Sequence, residues 1–230
     1  MIDLVLAFYL VFILPVRHLW RSVRPSTAPK RPLAQRYVAT IRDVCLLLVA
    51  MLACCWWNGY SAADLGLALP ASGVPLWCLG AAVIGMAILL ASTYRSTSKM
   101  TDAKRVEMLD RMRDSGMPTT SEELRLCVLL AFALGGGWEL LYRGFLLLAL
   151  KPYIGVWGAV ALSGLAYGAA HGYKNPKQFA LSIVMALAFA AAYALSGSLW
   201  WLMVIHIVLP LNGALTSWQL HAHRPALQLD

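Results

Sequence analysis

A chain of 230 residues, 60% hydrophobic and only 13% charged, departs from the roughly 45–50% apolar and about 25% charged residues of soluble domains. One globular core cannot absorb that excess, because its surface has to be polar, so the solvent is lipid. The net charge of +8 needs no nucleic-acid partner, since its distribution matches a bias toward anionic headgroups on one side of a bilayer.

Seven apolar segments run approximately 2–16, 38–57, 74–93, 124–150, 153–172, 177–196 and 198–218. About 20 apolar residues cross the hydrocarbon as a helix, and no segment alternates with the period of a membrane strand. The expected fold is an all-α polytopic bundle of about seven spans. The opening Met1-Ile2-Asp3-Leu4 has no basic stretch before its apolar run, so it reads as a retained first span rather than a signal peptide. The first connection then holds Arg17, Arg21, Arg24, Lys30, Arg31 and Arg36, with no acidic residue. The third holds Arg95, Lys99, Lys104, Arg105, Arg111 and Arg113; the fifth carries Lys174 and Lys177, and the tail Arg224. The second and sixth have no Lys or Arg, and the fourth only Lys151. Positive charge marks cytoplasmic loops, which puts the N-terminus outside and the C-terminus in the cytoplasm.

Five cysteines, at 45, 54, 55, 78 and 127, lie in or beside apolar stretches without the spacing of a zinc site. They read as reduced core residues. In the third connection, 101–115 is expected to form a surface helix with Val106, Leu109 and Met112 on one side and a Glu107–Arg111 pair. Thr120 and Glu123 then have the spacing of a capping box for the fourth span. Three regions follow: 1–120 with three spans and a cytoplasmic loop, 121–220 as the core, and 221–230 as a cytoplasmic tail.

Ionisable side chains inside a span cost several kcal/mol and face a partner or a cavity. Four stand out. Glu139 and Arg143, in Trp138-Glu139-Leu140-Leu141-Tyr142-Arg143-Gly144, share a helix face in the fourth span. His171 follows Tyr167 by four residues in the fifth, and His206 lies in the seventh, four residues before Pro210. Gly135-Gly136-Gly137, Gly164 and Gly168 crowd the same region and allow helices close approach.

These residues resemble the motifs of the CPBP family (CAAX protease, or Abi) of glutamic-type intramembrane endopeptidases: Glu-Glu-x-x-x-Arg, Phe-x-x-x-His and His-x-x-x-Asn/Asp on successive core helices. This chain has Trp138-Glu139-x-x-x-Arg143, Tyr167-x-x-x-His171 and His206-x-x-x-Pro210 in that order. It departs from the pattern where tryptophan replaces the first glutamate, tyrosine the phenylalanine, and proline the final amide or acid. Asn212 is the nearest amide to that last position, and a kink at Pro210 is expected to swing it towards the cavity. The resemblance implies an integral protein of the bacterial cell membrane that hydrolyses a peptide bond in a peptide or membrane-anchored protein. Glu139 and His171 would hold and deprotonate the water, His206 with Asn212 would polarise the scissile carbonyl, and Arg143 would orient Glu139. No cofactor is required, although Glu139, His171 and His206 also make a donor set for zinc.

Two other classes stay open. One is a catalytically silent relative that binds a peptide or protein as an immunity or chaperone factor, with Trp138 plugging the water site. The other is a transporter, against which stands the lack of an internal repeat. Helical rise puts Glu139 roughly 18 Å, His171 roughly 27 Å and His206 roughly 12 Å from the outer ends of their segments, so convergence requires tilt or different boundaries. Gly135-Gly136-Gly137 is one place for a distortion that would turn Glu139 to the catalytic position; with a regular helix, Glu139 instead pairs with Arg143 and Trp138 plugs the water site. Cysteine-accessibility labelling should find 17–36 and 94–120 cytoplasmic and 58–72 external; labelling of 58–72 from the same side as 17–36 overturns the seven-span topology.

Overall fold

The computed structural model describes residues 2–24 and 31–222. Lys30, Arg224 and the tail from 223 onward lie outside the described residues. Within them the chain is helical throughout and has no strand. The first span is α1 (Ile2–Phe8) and α2 (Leu14–Val23), joined without a break by a π-helical turn at Tyr9–Ile13. Next come α3 (Leu33–Asn58), α4 (Gly73–Ser98) and the short α5 (Asp102–Asp114). The core follows as α6 (Ser121–Glu139), a second π-helical turn (Leu140–Phe145), α7 (Leu146–Ala170), α8 (Pro176–Ser196) and α9 (Trp200–Ala222).

Six runs are long and apolar enough to cross a membrane, and one of them, Ser121–Ala170, has 50 residues. At ~1.5 Å per residue it would be about 75 Å long, far beyond the ~30 Å of hydrocarbon. It is two spans. The backbone breaks at Gly155, whose φ of 69° and ψ of 171° are non-helical, a conformation open to glycine because it has no Cβ. Pro152 lies just before the break. The end of α3, the start of α4 and this turn expose Trp56, Trp57, Trp77, Tyr153 and Trp157, an aromatic belt suited to a headgroup region.

α6 packs between α3 and α9, α9 between α6 and α4, and α7 between α8 and the first span. Glycines set the spacing. A Cβ on Gly135 would stand 2.7 Å from the backbone of His206 and Ile207, and one on Gly137 2.7 Å from Val44, while Gly136 faces open space. Two of the three glycines therefore admit different neighbours, α9 and α3. The distortion expected there lies later, at Leu140–Phe145; α6 stays α-helical through Glu139. Tyr142 donates its hydroxyl to the Leu10 carbonyl at 3.0 Å, tying one π-helical turn to the other.

The Thr120–Glu123 capping box is formed, as is the Glu107–Arg111 pair. In α5, Leu109 is buried but Val106 is exposed, so the apolar side of that helix is only partly covered, by α9. Among the cysteines, Cys54, Cys55 and Cys127 are buried whereas Cys45 is exposed; lipid contact accommodates a thiol as well as a core does. In the connection after α3, Ser61 donates from its hydroxyl and its N–H to Asp64, and both bonds hold that carboxyl below its ordinary value.

Gly135→Ala should destabilise the protein by about 1–3 kcal/mol, the usual cost of overpacking, because the added methyl meets backbone that cannot rotate away. Gly136→Ala should be neutral or better. Thermal unfolding in detergent compares them, and equal stability of the two variants would refute the close-approach account.

Candidate functional site

Glu139 and His171 share a depth because of where the chain turns. Each lies sixteen residues from Gly155 in sequence, roughly 24 Å along its helix. The expected mismatch came from ending the fourth span at 150 instead of at the glycine. His206 comes level by a different route. Leu199, just before α9, is fully buried and donates its N–H to the Gly66 carbonyl, so this helix begins inside the bundle, beneath the α3–α4 connection.

Glu139 and Arg143 are both 0% exposed. Arg143 Nη1 donates to Glu139 Oε1 at 2.7 Å, and its guanidinium carbon stands 4.0 Å from the centre of the Tyr167 ring. The same Oε1 is 3.0 Å from His206 Nδ1, which is also 3.2 Å from the Leu202 carbonyl. Both neighbours of Nδ1 are acceptors, so in the neutral imidazole that nitrogen carries the proton and Nε2 is an acceptor. His171 repeats the pattern with Nδ1 2.9 Å from the Tyr167 carbonyl. The two imidazoles flank Tyr167, with ring centroids 4.7 Å and 6.4 Å from it. Phe189 closes the other side of His206 at 5.4 Å.

A cavity of about 280 Å³ opens here, lined by His18, Leu134, Gly135, Trp138, Tyr167, Ala170, His171, His206 and Pro210. His171 is exposed at its rim and His206 is partly buried. Glu139 is not on the cavity wall. Adjacent helical residues point ~100° apart, and with α6 regular it is Trp138 that reaches the cavity while Glu139 turns to Arg143. Among the described residues, Glu139 Oε2 and Arg143 Nε and Nη2 are buried and have no hydrogen-bond partner. Asn212 points elsewhere: its amide donates to Thr93 Oγ1 on α4 at 3.3 Å. The swing expected of it does not occur, because α9 runs on as one helix through Pro210 and turns Asn212 toward α4. Among the described residues, no group of three or more His, Cys, Asp or Glu side chains is placed to hold a metal ion.

Sequence reasoning missed His18. Its Nδ1 is 2.7 Å from the Ala170 carbonyl at the end of α7, and Ser22 one turn on accepts the Tyr173 N–H at 2.7 Å. No motif marks it; only the docking of α2 across the end of α7 carries it to the cavity.

The motif helices thus converge on one cavity, in the part of the chain that a family comparison singles out. Residues 120–211 match the family described as type II CAAX prenyl endopeptidase, Rce1-like. Across those residues the chain is similar to that family. The match contains Glu139, Arg143, Tyr167, His171, His206 and Pro210, and leaves α1 to α5 outside. Neither a curated protein nor a solved structure matches the chain. The family's description is that of an endopeptidase.

The ion pair itself is open to a stability test. Arg143→Leu should cost about 3–5 kcal/mol, since it strands a buried carboxylate, whereas replacing both partners by leucine should cost much less. Denaturation of the two single variants and the double variant measures this coupling; additive losses would show that the pair does not act as a unit.

Proposed function

We propose that this protein is an intramembrane endopeptidase that cleaves a peptide or a membrane-anchored protein, with a Glu139–His206 dyad as its general base. The reading rests on one observation: His206 lines the cavity while its Nδ1 faces the enclosed carboxylate of Glu139 at 3.0 Å. Hydrolysis needs a base for the attacking water and an acid for the leaving amine. His206 Nε2 takes the water's proton as the water adds to the carbonyl carbon. Glu139, itself enclosed, stabilises the imidazolium formed and keeps the proton on Nδ1 throughout, the role a buried carboxylate plays beside a catalytic histidine. The same imidazolium then gives its Nε2 proton to the leaving nitrogen as the C–N bond breaks. His171 Nε2, the other acceptor at the cavity, holds the water's second hydrogen and so aims its lone pair. Arg143 balances the charge of Glu139 and, with Tyr167, fixes its position.

A second reading has its own support. Trp138 forms cavity wall where the family motif carries its first glutamate, which favours a silent relative that binds peptide or protein without cutting it. The orientation proposed from loop charge, with the N-terminus outside, puts His18 and His171 near the cytoplasmic face and suits a ligand arriving from that side.

Peptide and membrane-anchored substrates should be cleaved by the native protein. His206→Ala and His171→Ala should each lower the rate by at least about a hundredfold, within the usual contribution of a general base, with the variants still folded and inserted. Glu139→Gln should lose a similar factor. Full activity in His206→Ala removes the dyad. No native cleavage, with activity appearing in Trp138→Glu, establishes the silent relative instead.

A further inference from the structure

The first span and α3 enclose a second cavity that adjoins the hydrolytic one and shares His18, Trp138 and His171 with it. At the basic end of the bundle, a cavity of about 750 Å³ is bordered by Arg17, Arg21, Arg42 and Asp43, with His171 and Trp138 on its inner wall. Its apolar side reaches Tyr9 and Leu47. These two residues also begin an apolar groove of about 610 Å³ between α1 and α3, which continues past Val5, Ala50 and Ala53 to Ile2. Small side chains on α3 leave this channel open beside the first span.

The charges at its mouth are arranged for an anion. Arg42 Nη2 lies 2.8 Å and Arg17 Nη2 4.0 Å from the carboxylate of Asp43, which draws two guanidinium groups together while neutralising one. Arg21 is one helical turn from Arg17 on the same face and has no ion-pair partner among the described residues. Counting Asp43, a net charge of two remains. From Arg17 to Val5 the first span rises roughly 18 Å, within the depth of one leaflet with its headgroup.

We infer that this groove is a binding site for one anionic phospholipid, its phosphate on Arg17, Arg21 and Arg42 and an acyl chain along Tyr9 and Leu47 towards Val5 and Ala50. Guanidinium groups match phosphate oxygens in geometry and charge. A peptide ending in a carboxylate would satisfy the arginines, but its backbone groups would lie unpaired against the apolar wall, at several kcal/mol each. An acyl chain has nothing to leave unpaired. The bound headgroup forms the outer wall of the space facing His171 and Trp138. The site does not depend on the peptidase reading.

Native mass spectrometry of the full chain, equilibrated with phosphatidylglycerol or phosphatidylcholine and then released from detergent, tests this. One phosphatidylglycerol should stay bound under conditions that strip phosphatidylcholine. At ~1 kcal/mol per basic residue near a lipid surface, Arg17→Gln with Arg21→Gln should weaken retention about thirtyfold. Asp43→Asn, which frees two guanidinium groups, should strengthen it about fivefold, an effect in the opposite direction that misfolding cannot imitate. Equal retention of the two lipids, native-like retention by the double variant, or weaker retention in Asp43→Asn overturns the assignment. So does displacement by inorganic phosphate alone at the lipid's own concentration, or stronger competition by a peptide with a free C-terminus.

Discussion

Enclosing a carboxylate and a guanidinium inside a membrane bundle constrains everything around them. Taken singly, either charge would carry a desolvation cost of several kcal/mol. Glu139 and Arg143 meet on one oxygen at 2.7 Å, and His206 reaches the same oxygen from another span. Because that oxygen belongs to α6, both the π-helical turn that follows it and α9 across from it are held to one arrangement. Arg143 completes the setting by lying against the Tyr167 ring, which brings in α7. Three core segments are thereby tied to one buried charge pair, and the imidazoles around it come to border one cavity.

Packing is what makes this meeting sterically possible. Gly135 has no Cβ, so the backbone at His206 can lie against α6. Gly164 and Gly168 do the same for α7 against Leu187 and Ile183 of α8. In lipid, helices gain little from burying apolar surface, and association depends on close contact and on polar bonds between helices. This chain uses both: glycine contacts set the distances, and Tyr142 to Leu10, Ser163 to Tyr142 and Ser217 to Pro118 carry hydrogen bonds across elements. The first span, which no motif marks, closes the end of α7 through His18 and Ser22.

Of the site's departures from the family motif that its residues resemble, the one at Trp138 changes what faces the cavity. With α6 regular, the position that the motif gives to its first glutamate is a cavity-facing one, and tryptophan fills it. The remaining glutamate faces inward. The cavity wall carries the imidazoles of His18, His171 and His206, and the Glu139 carboxylate stands behind that of His206. This separation of the charged group from the cavity follows from the ~100° between neighbouring helical residues, not from any rearrangement of the helix.

Several of these features were legible in the amino-acid sequence. Apolar length and the absence of alternation determined an all-helical membrane bundle, because lipid leaves backbone groups no partner but each other. The spacing of Glu139 and Arg143 determined that they pair, since residues four apart share a helix face, and Thr120 with Glu123 determined the start of α6 in the same local way. What the sequence left open is non-local. Only the tertiary structure decided that the turn falls at Gly155, which equalises the depths of Glu139 and His171, and that α9 starts within the bundle, which brings His206 to Glu139. It also turned Asn212 to Thr93, put the distortion after Glu139 instead of before it, and carried His18 to the cavity from outside the motif segments. Each of these depends on how one helix is rotated and shifted against another. That is set by the sum of many close contacts between distant residues, and no short pattern along a single helix contains it.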